Sequence, residues 1–439
     1  MVVVRHARRG KIEGVLRYPD MLQPPRLWFI GKRAYDLTPW LARHPGGQQA
    51  LLQAEGTDCT ELFRSYHLMK EPLERIFARF EVQLDPTDPL YLERSAGSHF
   101  TFTGDEFYRT VQSRVREYFL ATKQRPGARR GHQILAFLLL CSAVLLVVPA
   151  FIFGSIPAAL FLALAKTLGA VGPGHSTSHY SLFPRGRWNM LAFRFFSPFL
   201  VSSSPIWNAW HIQSHHIDTL TKGDLQDNYP VKRIQPAHPH RAWHRGQHFY
   251  IWIIYLLGLQ LWSLQDFLVS ASSFFTARFS PVRFPFWQRV ESMLVIGFNL
   301  VFSVGLPFIF LDWRRALLVC LLANIPSSFF VVIQIVVNHE VPETMSQITA
   351  DKPIDWGEHQ VRTSHNFAPD SLLALHCSGG LNMQIEHHLF PGVHYTHFPE
   401  VKKIVQAACI EFGLPYNSSR TLFEAMGKHY RILRLNSVP

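Results

Sequence analysis

From residue 134 to 152 the chain runs nineteen positions without a charged side chain. A helix of that length crosses a hydrocarbon core of about 30 Å. A tight turn is expected at 154–157, followed by a second apolar run at 156–171 that carries one charge, Lys166. Further apolar runs occupy 249–269, 292–311 and 316–337, and the last two contain no charged residue. The run at 249–269 is interrupted by Gln260, Ser263, Gln265 and Asp266. One apolar run fits a buried helix of a soluble core, but four long ones predict a polytopic membrane protein. Outside them the pattern changes. Residues 20–95 mix polar and apolar positions like a small soluble domain, a Pro-, Asp- and Ser-rich link follows at 85–98, and 102–123 is amphipathic. The expected division is therefore 20–95, a linking and amphipathic segment at 96–131, and a membrane domain at 132–425.

Composition sharpens this picture. Apolar residues make up 48% and charged residues only 17%, against about 25% charged in an ordinary soluble domain. The net charge is +12, but Lys and Arg are scattered. That excludes a nucleic-acid tract and suits a surface facing anionic lipid headgroups. The N-terminal apolar run is too short for a signal peptide, and its charges follow it rather than precede it. Cys59, Cys141, Cys320, Cys377 and Cys409 form no CxxC pair, so a disulfide scaffold or thiolate zinc site is not expected and a reducing compartment is. A soluble secreted protein is excluded. The 23 histidines raise the question of a metal.

Two constellations carry candidate chemistry. In the first, Tyr35-Asp36-Leu37-Thr38 leads into His44-Pro45-Gly46-Gly47, and His67 follows 23 residues after His44. A buried haem iron needs two imidazoles on opposite faces, and Pro and Gly after the first allow a sharp turn with close backbone approach. Leu37, Trp40, Leu51, Leu62 and Phe63 are candidate apolar walls. The second constellation is three boxes beside the membrane runs: HSTSH at 175–179, HIQSHH at 211–216 and QIEHH at 384–388. An HxxxHH triple is expected by chance only about 0.06 times at this histidine content, so its presence is informative. On a helix, residues i and i+4 share one face, so each HxxxH is expected to present two imidazoles to one ion. The added adjacent histidine would reach a neighbouring ion or bridge the far side.

Imidazole ligation accepts zinc, copper, iron or nickel. A fused electron-transfer haem selects a redox metal, which zinc is not. If all boxes bind one cluster, an even number of crossings must separate them. Three apolar runs lie between the second and third boxes, so one cannot span, and 249–269, the most polar, is expected to lie at the interface or tuck against the protein. The basic residues give a mixed signal: Arg125, Arg129, Arg130, Arg185 and Arg187 favour one face, while Arg314 and Arg315 fall in the opposite loop. His339 directly follows the run at 316–337, level with the boxes, and is expected to be a further ligand. His365 and His376 lack ligand-like spacing. His394 and His397 are expected in a surface loop, and His238, His240, His244 and His248 in a solvated or headgroup-facing stretch.

The stretch 35–82 resembles a cytochrome b5 domain, with Gly56-Thr57-Asp58 and Phe63 ahead of His67. That resemblance implies haem b with His44 and His67 as axial ligands. A haem so ligated moves electrons and does not bind oxygen productively. With the boxes, the third of which begins with Gln rather than His, residues 25–415 resemble the front-end acyl desaturase family. The resemblance implies an α+β haem domain fused to an all-α polytopic membrane domain of about four transmembrane helices, with a helical cap holding a di-iron site. Carried over by position, the iron ligands are His175, His179, His211, His215, His216, His387 and His388. Gln384 stands in place of an eighth ligand, offering an amide oxygen or orienting a water. Ser176 replaces the Asp that many relatives carry after the first histidine, which weakens an outer hydrogen bond without touching the ligands. The implied activity uses O2 to place a cis double bond between an existing one and the carboxyl end of a polyunsaturated fatty acyl chain, at delta-5 or delta-6. The acyl carrier is coenzyme A or a phospholipid. Electrons come from NADH through a separate cytochrome b5 reductase, consistent with the lack of a nucleotide-binding loop. The implied location is the endoplasmic reticulum membrane, with haem and boxes on the cytosolic face. A sphingoid long-chain-base desaturase shares the same boxes and is the competing reading. A membrane acyl hydroxylase, a haem-only electron carrier and a zinc hydrolase are disfavoured, the last because HExxH is missing.

Overall fold

The computed structural model describes residues 2–3, 26–69, 77–84, 100–101, 106–200, 202–275, 286–345 and 354–439. The link at 85–98 lies outside them. The N-terminal domain is built on a four-stranded sheet whose spatial order is Val2–Val3, Glu81–Leu84, Arg33–Tyr35, Trp28–Ile30, each neighbouring pair antiparallel. Short helices at Gln48–Gln53 and Thr60–Tyr66 stand beside it. Trp28, Tyr35, Leu37, Leu41 and Ala54 are buried between them.

The amphipathic segment forms the helix Glu106–Thr122. Phe107, Val111, Val115 and Phe119 recur every four residues and are all buried, the stripe expected of a helix packed on one side. They pack with Val401, Val405 and Ala408 of the helix Phe398–Glu411, and an exposed Arg114–Glu411 ion pair at 2.6 Å closes the contact at its edge.

Among the described residues, four helices are long and apolar enough to cross a membrane: Arg130–Ile152, Ile156–Ser178, Phe286–Phe310 and Trp313–Val336. The first two form a hairpin. Small residues (Ala143, Ala158, Ala159) let them approach each other and Val319 and Ala323 of the fourth, as is usual where lipid offers no hydrophobic drive. Ile134, Phe137, Leu145 and Phe161 remain exposed, as lipid-facing positions should. Gly154, at φ 66, turns the hairpin, and Arg315 Nε donates to its carbonyl at 2.7 Å. Both interhelical loops therefore meet at one end of the bundle, and the boxes lie at the other. Arg315 is held there by this contact, which accounts for a basic residue on the face that charge counting disfavoured.

The run at 249–269 is not a straight span. It divides into Ala242–Leu256 and Gly258–Ala271, bent by 80°. A break in apolar surroundings leaves backbone groups that must find partners. Ser328 of the fourth long helix supplies them: its Oγ donates to the Tyr255 carbonyl at 3.0 Å and accepts from the Leu259 N–H at 3.1 Å. Gly258 permits the approach, since a Cβ there would come within 2.7 Å of Val332 Cγ2. Asp266 turns inward and accepts from Ser202 Oγ at 2.7 Å.

Three histidine expectations are corrected. His394 and His397 are buried, because the loop bearing them is covered by the chain before the first long helix: the His394 N–H donates to the Pro126 carbonyl, and Phe119 packs edge-on to His397. His244 is also buried; its Nδ1 accepts from the Arg241 N–H at 3.0 Å.

Two measurements check this architecture. Cysteines placed at Arg241 and Arg289 should react with a membrane-impermeant maleimide from the same side, whereas a straight span between them would separate the sides. Ser328→Ala should lower stability by about 1–3 kcal/mol, the range for leaving buried polar groups unpaired, read as an earlier thermal transition in detergent with the fold retained.

Candidate haem and metal centres

His44 follows the short helical turn Thr38–Arg43, and His67 ends the helix Thr60–Tyr66. Their rings face each other with centroids 6.1 Å apart. Two imidazoles bound to one metal from opposite sides, each about 2.0 Å away, place their centroids about 6 Å apart. His67 Nδ1 donates to the Phe63 carbonyl at 2.7 Å, and His44 Nδ1 lies 3.2 Å from the Gly47 carbonyl. Such bonds fix the tautomer whose Nε2 carries the lone pair. The cavity around them measures about 680 Å³, and its walls include Leu37, Trp40, Leu51, Leu62 and Phe63, the five expected from sequence. The residues fit a haem.

The remaining wall comes from the helical body, through Tyr180, Phe183, Asn208 and Ile212. The two parts touch at the HPGG turn, where the Gly186 N–H donates to the Pro45 carbonyl at 3.0 Å. A Cβ on Gly186 would fall within 2.2 Å of the Gly46 carbonyl, so only glycine allows this approach.

The boxes converge at the opposite side of that wall. His175 and His179 follow directly from the second long helix. The second box lies on a π-helical stretch, Asn208–His215, continued by His216–Asp218. The third lies on the short helix Gln384–Leu389, all six residues of which are buried. It is pressed against the first box by Gly379, at φ 57, where a Cβ would fall within 2.1 Å of the Val171 carbonyl. Glu386 anchors the helix from behind, accepting from Tyr416 Oη at 2.7 Å and Asn366 Nδ2 at 2.9 Å, and burial pushes its pKa up to about 7.

The imidazoles form two groups: His175, His179, His211 and His387 in one, His215, His339 and His388 in the other, with candidate ligand atoms within 4.8 Å of one another in each. His216 lies between them. Its Nε2 is 3.2 Å from His211 Nε2 and 3.1 Å from His387 Nε2, and its ring stacks on His388 with centroids 4.3 Å apart. The first box behaves as its spacing predicts, with both histidines in one group. The second does not: His211 and His215 part company, and His211 turns toward His216 instead. A π-helix bonds residues five apart rather than four, and on this stretch the His211 and His216 ring centroids lie 4.7 Å apart while His215 meets His339 and His388 in the neighbouring group. His339 joins the second group, as its position after the fourth long helix suggested. Gln384 stands beside it, its Nε2 3.0 Å from His339 Nε2 and its Oε1 accepting from Asn338 Nδ2 at 3.0 Å. His365 lies outside both groups, bonded to the Val337 carbonyl and Ser419 Oγ.

Proton placement can be argued for the second group from its outer partners. His215 Nδ1 donates to Asp224 Oδ2 at 3.0 Å, His339 Nδ1 to the Thr363 carbonyl at 2.9 Å, and His388 Nδ1 to Gln360 Oε1 at 2.7 Å. The acceptors at His339 and His388 are neutral oxygens, so those two rings carry their proton on Nδ1 and turn the Nε2 lone pair inward. His388 Nε2 is buried with no hydrogen-bond partner among the described residues. Burial holds His339 at a pKa of about 3 and keeps His388, His179, His211, His216 and His387 well below the usual histidine value, so the rings are neutral. Facing lone pairs repel in an apolar interior, and a cation between them removes the conflict. The donor set therefore fits metal ions. Asp224, Gln360 and Thr363 were not singled out in the sequence, because they are distant from their histidines or contribute only backbone. A deep cleft opens onto both groups, with His175, His211, His215 and His339 in its wall beside Val171, Ile206, Trp207, Trp262 and Val331.

Comparison with known proteins agrees with this geometry. Residues 153–420 match the fatty acid desaturase family, and residues 20–83 match the cytochrome b5-like haem/steroid binding domain. The chain is 28% identical to the acyl-lipid (8-3)-desaturase B of Dictyostelium discoideum, over 93% of this chain and 90% of that protein. It is 30% identical to the chloroplastic acyl-lipid (7-3)-desaturase of Chlamydomonas reinhardtii, over 91% and 78%. It is 26% identical to the sn-1 linoleoyl-lipid 6-desaturase of Synechocystis sp., over 74% and 94%. Two facing imidazoles in one domain, two converging groups of them in the other and these matches lead to one conclusion: the chain belongs to the fatty acid desaturase family, in the form that carries a cytochrome b5 domain at its N-terminus.

Proposed function

We propose that this protein is a front-end acyl desaturase that inserts a cis double bond on the carboxyl side of an existing one, at delta-5 or delta-6, using O2 and electrons delivered through its own haem b. The observation that carries this reading is the pair of buried, converging histidine groups in the wall of an apolar cleft. The printed names of the relatives, which include acyl-lipid (8-3)- and Delta(5) desaturases as well as a 6-desaturase, support both the lipid-borne substrate and the two positions. NADH and a separate cytochrome b5 reductase supply the electrons. The protein resides in the endoplasmic reticulum membrane with haem and boxes facing the cytosol.

In this reading His44 and His67 hold the haem, and His175, His179, His211, His215, His216, His339, His387 and His388 hold two iron ions. Iron bound there supplies the oxygen-activating chemistry needed to take two hydrogens from adjacent methylenes, which have no acidic proton for a side-chain base to remove. The chain's own residues do the rest. Trp207, Ile206 and Val331 give the acyl chain an apolar wall and exclude water from the groups. Asp224, Gln360 and Thr363 hold three imidazoles in the ligating tautomer. Gln384 is a neutral polar partner at His339, where the third box begins with Gln rather than His.

Yeast expressing the chain and fed single polyunsaturated precursors should gain a fatty acid with a new double bond on the carboxyl side of an existing one, located by gas chromatography and mass spectrometry. The product should vanish with His216→Ala and with His44→Ala. Altered sphingoid bases with unchanged fatty acids would instead identify the long-chain-base activity. Asp224→Ala removes the acceptor that orients His215, and should weaken iron binding by about 10–100-fold, measured by chelator competition while the haem absorption stays unchanged.

A further inference from the structure

We infer that Tyr66 is the electron conduit between the two centres: it joins the haem cavity to the histidine groups by one side-chain hydrogen bond across the domain interface. This inference rests on the proposed haem and iron sites. Tyr66 forms part of the wall of the haem cavity and is covalently adjacent to His67. Its Oη lies 2.7 Å from His179 Nδ1, 113 residues away in sequence. His179 Nε2 points into the first group, 3.1 Å from His211 Nε2, so Nδ1 carries the proton and donates it to Tyr66 Oη. One residue thus touches the haem pocket with its backbone neighbour and a proposed iron ligand with its hydroxyl.

The surroundings hold it in that position. The Tyr66 ring lies nearly parallel to the His179 ring, at 13°, with Tyr180 edge-on to it. The backbone of Gly392 backs the ring, where a Cβ would sit 3.4 Å from Tyr66 Cδ1. Gln112 Nε2 donates to the Arg64 carbonyl at 2.9 Å, tying the same helix to the amphipathic helix of the body. The Gly46–Gly186 contact fixes the other side of the domain. An alternative route passes through Ile212, which also borders the haem cavity beside His211, but an apolar side chain offers only van der Waals contact there. Electron tunnelling is coupled more strongly through covalent bonds and a short hydrogen bond than across a van der Waals gap, so the Tyr66 route dominates.

The step balances simply. One electron leaves the haem iron, which passes from ferrous to ferric, and one enters the iron pair, where one ion passes from ferric to ferrous. No atom moves, and Tyr66 is neither oxidised nor deprotonated. Two such transfers serve each double bond, with the reductase proposed above as the source.

The test uses the full-length, haem- and iron-loaded protein in nanodiscs. Its haem is reduced anaerobically and then mixed with O2 and acyl substrate in a stopped-flow spectrometer that follows the haem bands. Tyr66→Phe keeps the ring and deletes the hydroxyl. Expected is a haem oxidation rate at least tenfold slower than wild type, with unchanged haem spectrum, midpoint potential and iron content, and with product formation restored when a small-molecule reductant reaches the iron directly. A rate within twofold of wild type overturns the inference. So does a Tyr66→Phe protein that has lost iron, or one whose activity the small-molecule reductant does not restore, because Tyr66 would then only position His179. A wild-type protein whose haem oxidation is the same with and without iron overturns the proposed function itself, which separates the two failures.

Discussion

Eight imidazoles buried side by side, their candidate ligand atoms within reach of one another, form the constraint around which the helical body is arranged. Left alone, such a cluster is unfavourable, because each ring gives up hydration and faces another acceptor. Its stability in the fold depends on two things: outer oxygens for Nδ1 of His215, His339 and His388, and a cation for the inward-facing lone pairs. The outer oxygens come from Asp224, Gln360 and the Thr363 carbonyl, none of which belongs to a box. The π-helical stretch through the second box, the glycine contact between Gly379 and Val171, and the buried Glu386 behind the third box all bring rings to this one point.

The membrane helices serve the same end. The hairpin at one end of the bundle, fastened by Arg315 to the Gly154 carbonyl, returns the chain so that the second long helix runs straight into the first box. The segment after the second box is bent, and Ser328 satisfies the backbone groups that the bend releases. Part of that segment lines the cleft through Trp262, Gln265 and Asp266.

The haem domain is not a loose appendage in this structure. Its HPGG turn meets Gly186 backbone to backbone, and the body supplies one wall of the haem cavity. The glycines of that turn therefore answer two demands at once, the turn itself and the contact with the second domain. A short separation between the haem pocket and the histidine groups follows from this docking, and Tyr66 occupies it.

Much of this was legible in the chain. Several long apolar runs together pointed to helices in lipid, and the even-crossing requirement singled out 249–269, the run that the structure bends. The apolar walls around His44 and His67 were legible because a b5-like stretch keeps them close in sequence. His339 was legible from its place at the end of a span. Other features were settled by tertiary structure alone. Helical spacing assigned both histidines of the second box to one ion, but a π-helical turn, stabilised by its neighbours rather than by its own residues, sent His211 and His215 to different groups. His394, His397 and His244 read as surface positions and are buried, since burial of a loop depends on what covers it. Asp224, Gln360 and Tyr66 carried no signal, because hydrogen bonds between distant segments leave no period or spacing behind. The sequence determined the types of donor and the helices that carry them, through local periodicity and the solvent each segment can tolerate. Which donors meet, and in which protonation state, was decided by long-range packing.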